Sequence, residues 1–201
     1  MSVVVIDYGM GNLHSVAKAL ETVGVDVEVT SDPSRLSHAE KIVLPGVGSF
    51  AQGMKHLHQL GFEKALYDEV ITRKKPLLGI CLGMQLAART GEEHGPTLGL
   101  NWFDANVVAL SKSSHEVKIP HMGWNDVTIL QANPLFQGLK SPTTFYFVHS
   151  YHVVPADPNV VVARCNHGES FAAAISFGNI HLVQFHPEKS QTKGLKVLEN
   201  F

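Results

Sequence analysis

Charge is scarce in this 201-residue chain. Asp, Glu, Lys and Arg make up 17% of it, against roughly 25% in an average globular protein. What charge there is nearly cancels, at -2 net with neutral histidines. No basic block and no interleaving of basic and aromatic residues is present, which argues against a nucleic-acid partner. Cysteine is rarer still, and Cys81 and Cys165 cannot build a disulfide framework. Long apolar runs are missing as well. Stretches such as 171–175 fall far short of the roughly 20 residues that cross a bilayer, so no membrane partner is expected. The opening Met1-Ser2-Val3-Val4-Val5-Ile6-Asp7 has no positive region, and its apolar run stops too soon for a signal peptide. These absences lead to the expectation of a soluble cytoplasmic protein, in a reducing compartment that keeps thiols usable. With no internal repeat, low-complexity segment or linker, a single domain over 1–201 is expected. A domain of this size buries roughly 70% of its unfolded surface and needs no staples. The apolar share, 44%, is ordinary. Ordinary apolar content with little charge suits a surface partly covered by another protein.

The hydrophobic spacing alternates between two periods. Residues 3–6 read as a buried strand, followed by the loop Gly9-Met10-Gly11-Asn12 and a helix over 13–23 that ends at Gly24. Strands follow at 25–29 and Lys41–Leu44, then helices at 50–60 and 62–73 with Gly61 between them. Next come a strand at Leu77–Ile80 and a helix at 82–89. Strands alternating with helices imply βαβ units and a parallel sheet. The second half changes character, with strand patterns at 106–110, 125–130, 145–148, 160–164, 170–175 and 180–185, and Ser190 as N-cap of a closing helix through Leu198. The expectation is an α/β fold: a mixed, mostly parallel central sheet flanked by helices, with an antiparallel extension.

The chemistry concentrates in two segments. In Leu77-Leu78-Gly79-Ile80-Cys81-Leu82-Gly83-Met84-Gln85, a strand pattern meets a helix pattern at Gly-x-Cys-x-Gly. This is the form of a nucleophile elbow, in which small residues let the backbone bend sharply and push the apical side chain into the open. A lone buried cysteine is often only a small hydrophobe, and Cys165, which lacks the glycine frame, reads as packing. The second segment is Val183-Gln184-Phe185-His186-Pro187-Glu188. Residues two apart on an extended chain point the same way, so Glu188 can hold one nitrogen of His186 while the other faces a thiol. Alone, His-Pro-Glu is equally a surface turn, and most of the twelve histidines are expected to be ordinary. Coupled to the elbow, it completes a Cys81-His186-Glu188 triad. Acyl transfer also needs oxyanion donors. The N–H of Leu82 is one candidate, and Pro45-Gly46-Val47-Gly48 offers a second, although Pro-Gly is more commonly a plain turn. Gly9-Met10-Gly11 is not a dinucleotide fingerprint, since His14 stands where the third glycine belongs.

These segments resemble the class I, or triad, glutamine amidotransferases. Within that class the chain is most similar to the glutaminase subunits of imidazole glycerol phosphate synthases. The blocks that carry this are Asp7-Tyr8-Gly9-Met10-Gly11-Asn12, Pro45-Gly46-Val47-Gly48-Ser49-Phe50, Pro120-His121-Met122-Gly123-Trp124-Asn125, Tyr146-Phe147-Val148-His149-Ser150-Tyr151 and His186-Pro187-Glu188-Lys189-Ser190. The resemblance implies a flavodoxin-like fold and hydrolysis of L-glutamine through a Cys81 thioester, with no cofactor and no metal. It implies that Val47 and Leu82 serve the oxyanion, and that Gly46, Gly48, Gln85 and the backbone of Ser150 and Tyr151 hold glutamine. It also implies a heterodimer with a (β/α)8-barrel cyclase subunit. Asn12, Met122, Trp124 and Lys189 would stand at or near the docking face, and the Gly46-Val47 peptide would reorient when the partner holds its nucleotide. Trp124 read from composition alone is equally a core aromatic. The other readings are a triad glutaminase of an anthranilate- or carbamoyl-forming synthase, and a non-catalytic regulatory module on the same scaffold.

Overall fold

The computed structural model describes residues 2–111 and 117–201; Met1, part of the amino-terminal stretch read above, lies outside the described residues. Val3, Val4, Val5 and Ile6 are all buried, as β-branched residues are when both faces of a parallel strand are covered. They form β1 (Ser2–Ile6), which pairs in parallel with β2 (Asp26–Thr30) and β3 (Lys41–Leu44). The ladder continues in parallel through β4 (Leu77–Ile80) to β13 (Ile180–Val183). Beyond β13 it turns antiparallel through β12 (Glu169–Phe177), β11 (Val161–His167), β8 (His121–Ile129) and β9 (Thr143–His149). Among the described residues this sheet has nine strands. Its period of two sorts the core. Val3 and Val5 pack with Val16 and Leu20 of α1 (Leu13–Thr22) and Val197 and Leu198 of α5 (Gln191–Asn200). Val4 and Ile6 pack with Phe50 and Leu57 of α2 (Phe50–Gln59) and Phe62 and Leu66 of α3 (Phe62–Leu66).

Several elements differ from their sequence reading. The segment expected as a strand at 106–110 forms β7 (Ala105–Ala109) and does not extend the main sheet. It joins β5 (Thr90–Gly91), β6 (Thr97–Leu98) and β10 (Tyr151–Pro155) in a small second sheet. Two-residue strands are too short for periodicity to reveal. The helix expected at 82–89 is shorter, α4 (Leu82–Leu86), because the carbonyls of Leu86, Ala87 and Ala88 accept from the N–H groups of Leu100, Trp102 and Asn101. After α3 the helix expected to reach 73 widens, so that Arg73 N–H bonds Asp68 O, five residues back. Ser190 stands at the N-cap position of α5 without a capping bond. Its hydroxyl donates to His186 O at 2.6 Å and accepts from Tyr146 N–H at 3.0 Å.

The elbow at Cys81 is a strained turn: φ is 54° and ψ is -106°, a left-handed value that L residues rarely adopt. Gly83 permits it, because a Cβ there would lie 1.8 Å from Leu44 O on β3. Gly83→Ala is therefore expected to destabilise the protein by roughly 1–3 kcal/mol, the range for overpacking, as read from the urea midpoint. An unchanged midpoint would mean that β3 and α4 do not need this separation.

Candidate active site

Cys81 lies at the carboxyl end of β4, where open α/β sheets place their ligands. It is 6% exposed and lines a cavity of about 400 Å³ together with Val47, Gly48, Leu82, Gln85, Glu93, His149, Ser150 and Tyr151. His186 follows β13, the strand next to β4. The Cys81 N–H bonds Val183 O at 2.8 Å, and the His186 N–H bonds Tyr146 O at 2.9 Å, so backbone ladders hold both residues. His186 Nδ1 donates to Glu188 Oε1 at 2.8 Å with both side chains buried. The carboxylate does not reach the ring along an extended chain, as the spacing suggested. His186 is extended, with φ -100° and ψ 96°, but Pro187–Lys189 form a turn of 3-10 helix that swings Glu188 back. Proline, with its fixed φ and missing donor, suits the first position of such a turn.

Electrostatics couple the three residues. Burial pushes the His186 pKa down, but the Cys81 sulfur and the Glu188 carboxylate outweigh it and hold the imidazole above its ordinary value. A protonated ring is the form this favours. His186 Nε2 is buried with no hydrogen-bond partner of its own, leaving it free for a proton moving to or from the sulfur. Cys165 is buried on β11, and burial pushes its thiol up to about 12, which keeps it protonated and inert.

Of the two predicted oxyanion donors, one is already occupied. Leu82 N–H donates to Gly46 O at 3.3 Å, while Val47 sits exposed at the rim. Gly46 is pressed against Tyr8: a Cβ there would lie 2.2 Å from the Tyr8 hydroxyl. That hydroxyl is buried without a partner, and burial, then the charge of Cys81, pushes its pKa up. Ser150 and Tyr151 line the cavity, as does Gln85. Its Nε2 is committed to Tyr151 O at 2.9 Å and Gln184 Oε1 at 3.0 Å, and Ser150 O accepts from Leu110 N–H. The carbonyls of Ser150 and Tyr151 therefore serve the fold. Sequence reasoning missed Glu93, whose Oε2 accepts from Phe50 N–H at 2.8 Å while the side chain lines the cavity. Glu93 follows a helix that ends early, so no spacing pointed to it.

Of the residues implied at a docking face, Met122 and Trp124 share one face of β8 and are 63% and 49% exposed. Trp124 stacks edge-on against Tyr146, and Lys189 Nζ lies 5.7 Å from the Tyr146 ring. The core reading of Trp124 therefore does not hold. Asn12 is exposed and caps α1, its Oδ1 accepting from Ser15 N–H. Among the described residues no group of three His, Cys, Asp or Glu could hold a metal ion, and no helix is long and apolar enough to cross a membrane.

From the cavity wall inward lies a second buried pair, on β8 and β9, whose register sets His121 opposite His149. His149 Nδ1 donates to Tyr151 O at 2.9 Å, and its Nε2 accepts from His121 Nδ1 at 2.9 Å. Burial holds His121 at about 4, helped by neighbouring His167, and His149 at about 3. Unfolded imidazoles titrate near 6.5, so between about 6.5 and 4 the unfolded chain binds protons that the fold refuses. Stability is expected to fall as pH drops through that window. His186, with its raised pKa, acts in the opposite sense and only above 6.5. Urea unfolding at pH 6.5 and 5 measures this, and equal free energies would show that the buried rings accept protons in place.

Residues 4–201 match the family model described as glutamine amidotransferase class-I. The chain is 48% identical over 199 residues to the imidazole glycerol phosphate synthase subunit HisH 1 of Campylobacter jejuni, covering 99% of this chain and 98% of that protein. It is 48% identical over 202 residues to subunit HisH of Aquifex aeolicus, covering 100% of this chain and 96% of the relative. In fold it is similar to a chain in the structure of PurLQS from Thermotoga maritima, with a TM-score of 0.72 at 19% identity over 99% of this chain and 96% of that one. A structure of a glutamine amidotransferase gives a TM-score of 0.70 at 18% identity, covering 96% of this chain and 93% of that one. The mixed sheet flanked by helices is thus the class I glutamine amidotransferase fold. From the match over almost its whole length and from these close relatives, the chain belongs to the class I glutamine amidotransferases, in the group of imidazole glycerol phosphate synthase HisH subunits.

Proposed function

We propose that this chain is the glutaminase subunit of an imidazole glycerol phosphate synthase, hydrolysing L-glutamine and delivering the ammonia to a cyclase partner for histidine biosynthesis. The observation that carries this reading is the buried Cys81, His186 and Glu188 array opening onto an amino-acid-sized cavity. The Cys81 sulfur anion attacks the side-chain amide carbon of glutamine, and the carbonyl oxygen takes the negative charge. His186, carrying the former thiol proton on Nε2, gives it to the departing nitrogen, which leaves as ammonia. Water then attacks the glutamyl thioester, losing a proton to His186, and glutamate departs as the sulfur is released. Glu188 holds the ring through Nδ1 throughout. Glu93, among the described residues the one carboxylate lining the cavity, suits the α-ammonium group of glutamine.

The oxyanion needs Leu82 N–H, which Gly46 O now occupies. Rotation of the Gly46-Val47 peptide would free it and bring the Val47 N–H in its place. We assign this rotation to the nucleotide-loaded partner. The Met122, Trp124 and Lys189 face is the surface proposed to meet that partner, a (β/α)8 barrel, because exposed aromatic anchors are typical of interface centres. A sheltered route has chemical value, since ammonia in water at neutral pH is mostly protonated and no longer nucleophilic. A cytoplasmic location is part of the proposal and suits a working thiol.

Two measurements test the reading. Cys81→Ala, assayed with the cyclase subunit and its nucleotide, should abolish glutamine-dependent synthesis and spare synthesis fed by ammonium salt; loss of both would assign Cys81 to folding or assembly. Glu93→Gln should raise the KM for glutamine at least tenfold, the scale of one hydrogen bond to a charged group, with kcat changed far less. An unchanged KM would remove Glu93 from substrate binding.

A further inference from the structure

We propose that Gln184 is a further catalytic residue, whose side-chain N–H stabilises the Cys81 sulfur anion, and that a hydrogen-bonded chain reaching back to Asn125 fixes its amide in the orientation this requires. The proposal rests on Cys81 as the nucleophile. The parallel register pairs Val183 with Ile80, so the next residues along, Gln184 and Cys81, lie side by side. Gln184 is fully buried, and its Nε2 lies 3.6 Å from Cys81 Sγ, within reach of an N–H···S hydrogen bond. Period two along the strand also puts Gln184 on the side of His186. The sulfur thus has an amide donor that does not exchange a proton with it, from the same segment as the imidazole that would.

An amide can present either end, and here the neighbours leave no choice. Tyr151 O can only accept, so Gln85 must offer its Nε2 there; the same nitrogen donates to Gln184 Oε1 at 3.0 Å. Gln184 is therefore held oxygen-first toward Gln85 and nitrogen-first toward the sulfur. Flipped, it would set a carbonyl oxygen against a sulfur anion and two amino groups against each other.

The Tyr151 carbonyl is held in turn from the other side. His149 Nδ1–H donates to it, which leaves His149 Nε2 to accept from His121 Nδ1–H. His121 Nε2 then accepts from Asn125 Nδ2 at 3.1 Å. Asn125 Nδ2 also donates to Asn166 O at 2.9 Å, and Asn125 Oδ1 accepts from Asp126 N–H. Every tautomer and every amide in the series is thus assigned by a backbone group at one end or the other. Burial among Phe147 and Phe171 keeps both rings neutral, as their donor and acceptor roles require. Asn125 and the other members are positioning residues; Gln184 alone touches the reacting atom.

In catalysis the thiol proton passes to His186 Nε2 and Gln184 keeps both of its own. Its N–H is strengthened when the sulfur is anionic, before attack and again when the thioester breaks. Among the described residues, His186 and Tyr8 are titratable groups that act with the sulfur, and Glu93 and His149 line the same cavity.

The test follows the rate of Cys81 alkylation by a glutamine-analogue electrophile against pH, in the full chain, with kcat and KM measured in the complex with the cyclase. Gln184→Leu should raise the midpoint of the alkylation profile by about one pH unit. It should also lower kcat by roughly tenfold to a hundredfold, the scale of a hydrogen bond to a charged group, with KM within about twofold. Gln184→Glu, which keeps the shape and reverses the polarity, should raise the midpoint further. In the unaltered protein, the Gln184 side-chain amide protons should shift by NMR through the Cys81 titration, which needs no variant to fold. Midpoints and kcat unchanged in both variants, or amide signals that stay flat, overturn the proposal. Cys81→Ala separates the two readings: if it still hydrolyses glutamine, the nucleophile assignment fails, whereas a dead Cys81→Ala beside a wild-type Gln184→Leu sinks only this inference.

Discussion

The parallel pairing of β4 with β13 sets Val183 opposite Ile80 and carries everything downstream with it. One step past that pair, the chain on one side turns sharply at Cys81 while the chain on the other runs on through Gln184 and His186. A one-residue slip would move every side chain of β13 to the opposite face, taking the imidazole away from the sulfur. The register is secured where it matters: Cys81 N–H reaches across to Val183 O, and His186 N–H to Tyr146 O on β9. Two neighbouring strands about a hundred residues apart in sequence therefore place the residues that follow them side by side.

Around that register the interior treats like residues in unlike ways. His186 and the His121–His149 pair are all buried, and burial alone would make every one of them neutral. Only His186 sits between a carboxylate and a sulfur, and only there does attraction overcome the loss of water. His121 and His149 meet carbonyls, amides and phenyl rings, and stay uncharged. The division of labour follows from partners rather than from residue type or depth. A ring with a raised pKa stands beside the sulfur, and two neutral rings act as fixed hydrogen-bond spacers.

Much of this was legible in the sequence. The valine-rich strands, the Gly-x-Cys-x-Gly elbow and the His-Pro-Glu tail declare themselves locally, through periodicity and through glycines whose Cβ would collide with neighbouring backbone. What stayed hidden depends on distant pairing. Glu93 enters the cavity from a segment whose early helix end is decided by backbone bonds to residues 100–102. The second sheet rests on strands of two residues. Gln184 carried a usable signal, since it stands two before His186 in the same strand pattern. Its contact with the sulfur, however, needed the register of a strand a hundred positions away. Ser190 carried a cap signal and was recruited elsewhere, because the backbone around His186 had a stronger need for its hydroxyl.

The bond from Leu82 N–H to Gly46 O has a consequence of its own. A peptide unit is a dipole of roughly 3.5 D, and turning it end for end replaces a negative pole with a positive one at the same point in space. Where negative charge would gather on a substrate oxygen, the plane between Gly46 and Val47 now repels; inverted, it would attract. Under the rotation proposed for this peptide, such a device would have two settings of opposite sign and little in between, and would act as a toggle rather than a dimmer. A subunit awaiting its proposed partner would then hold the nucleophile without wasting nitrogen.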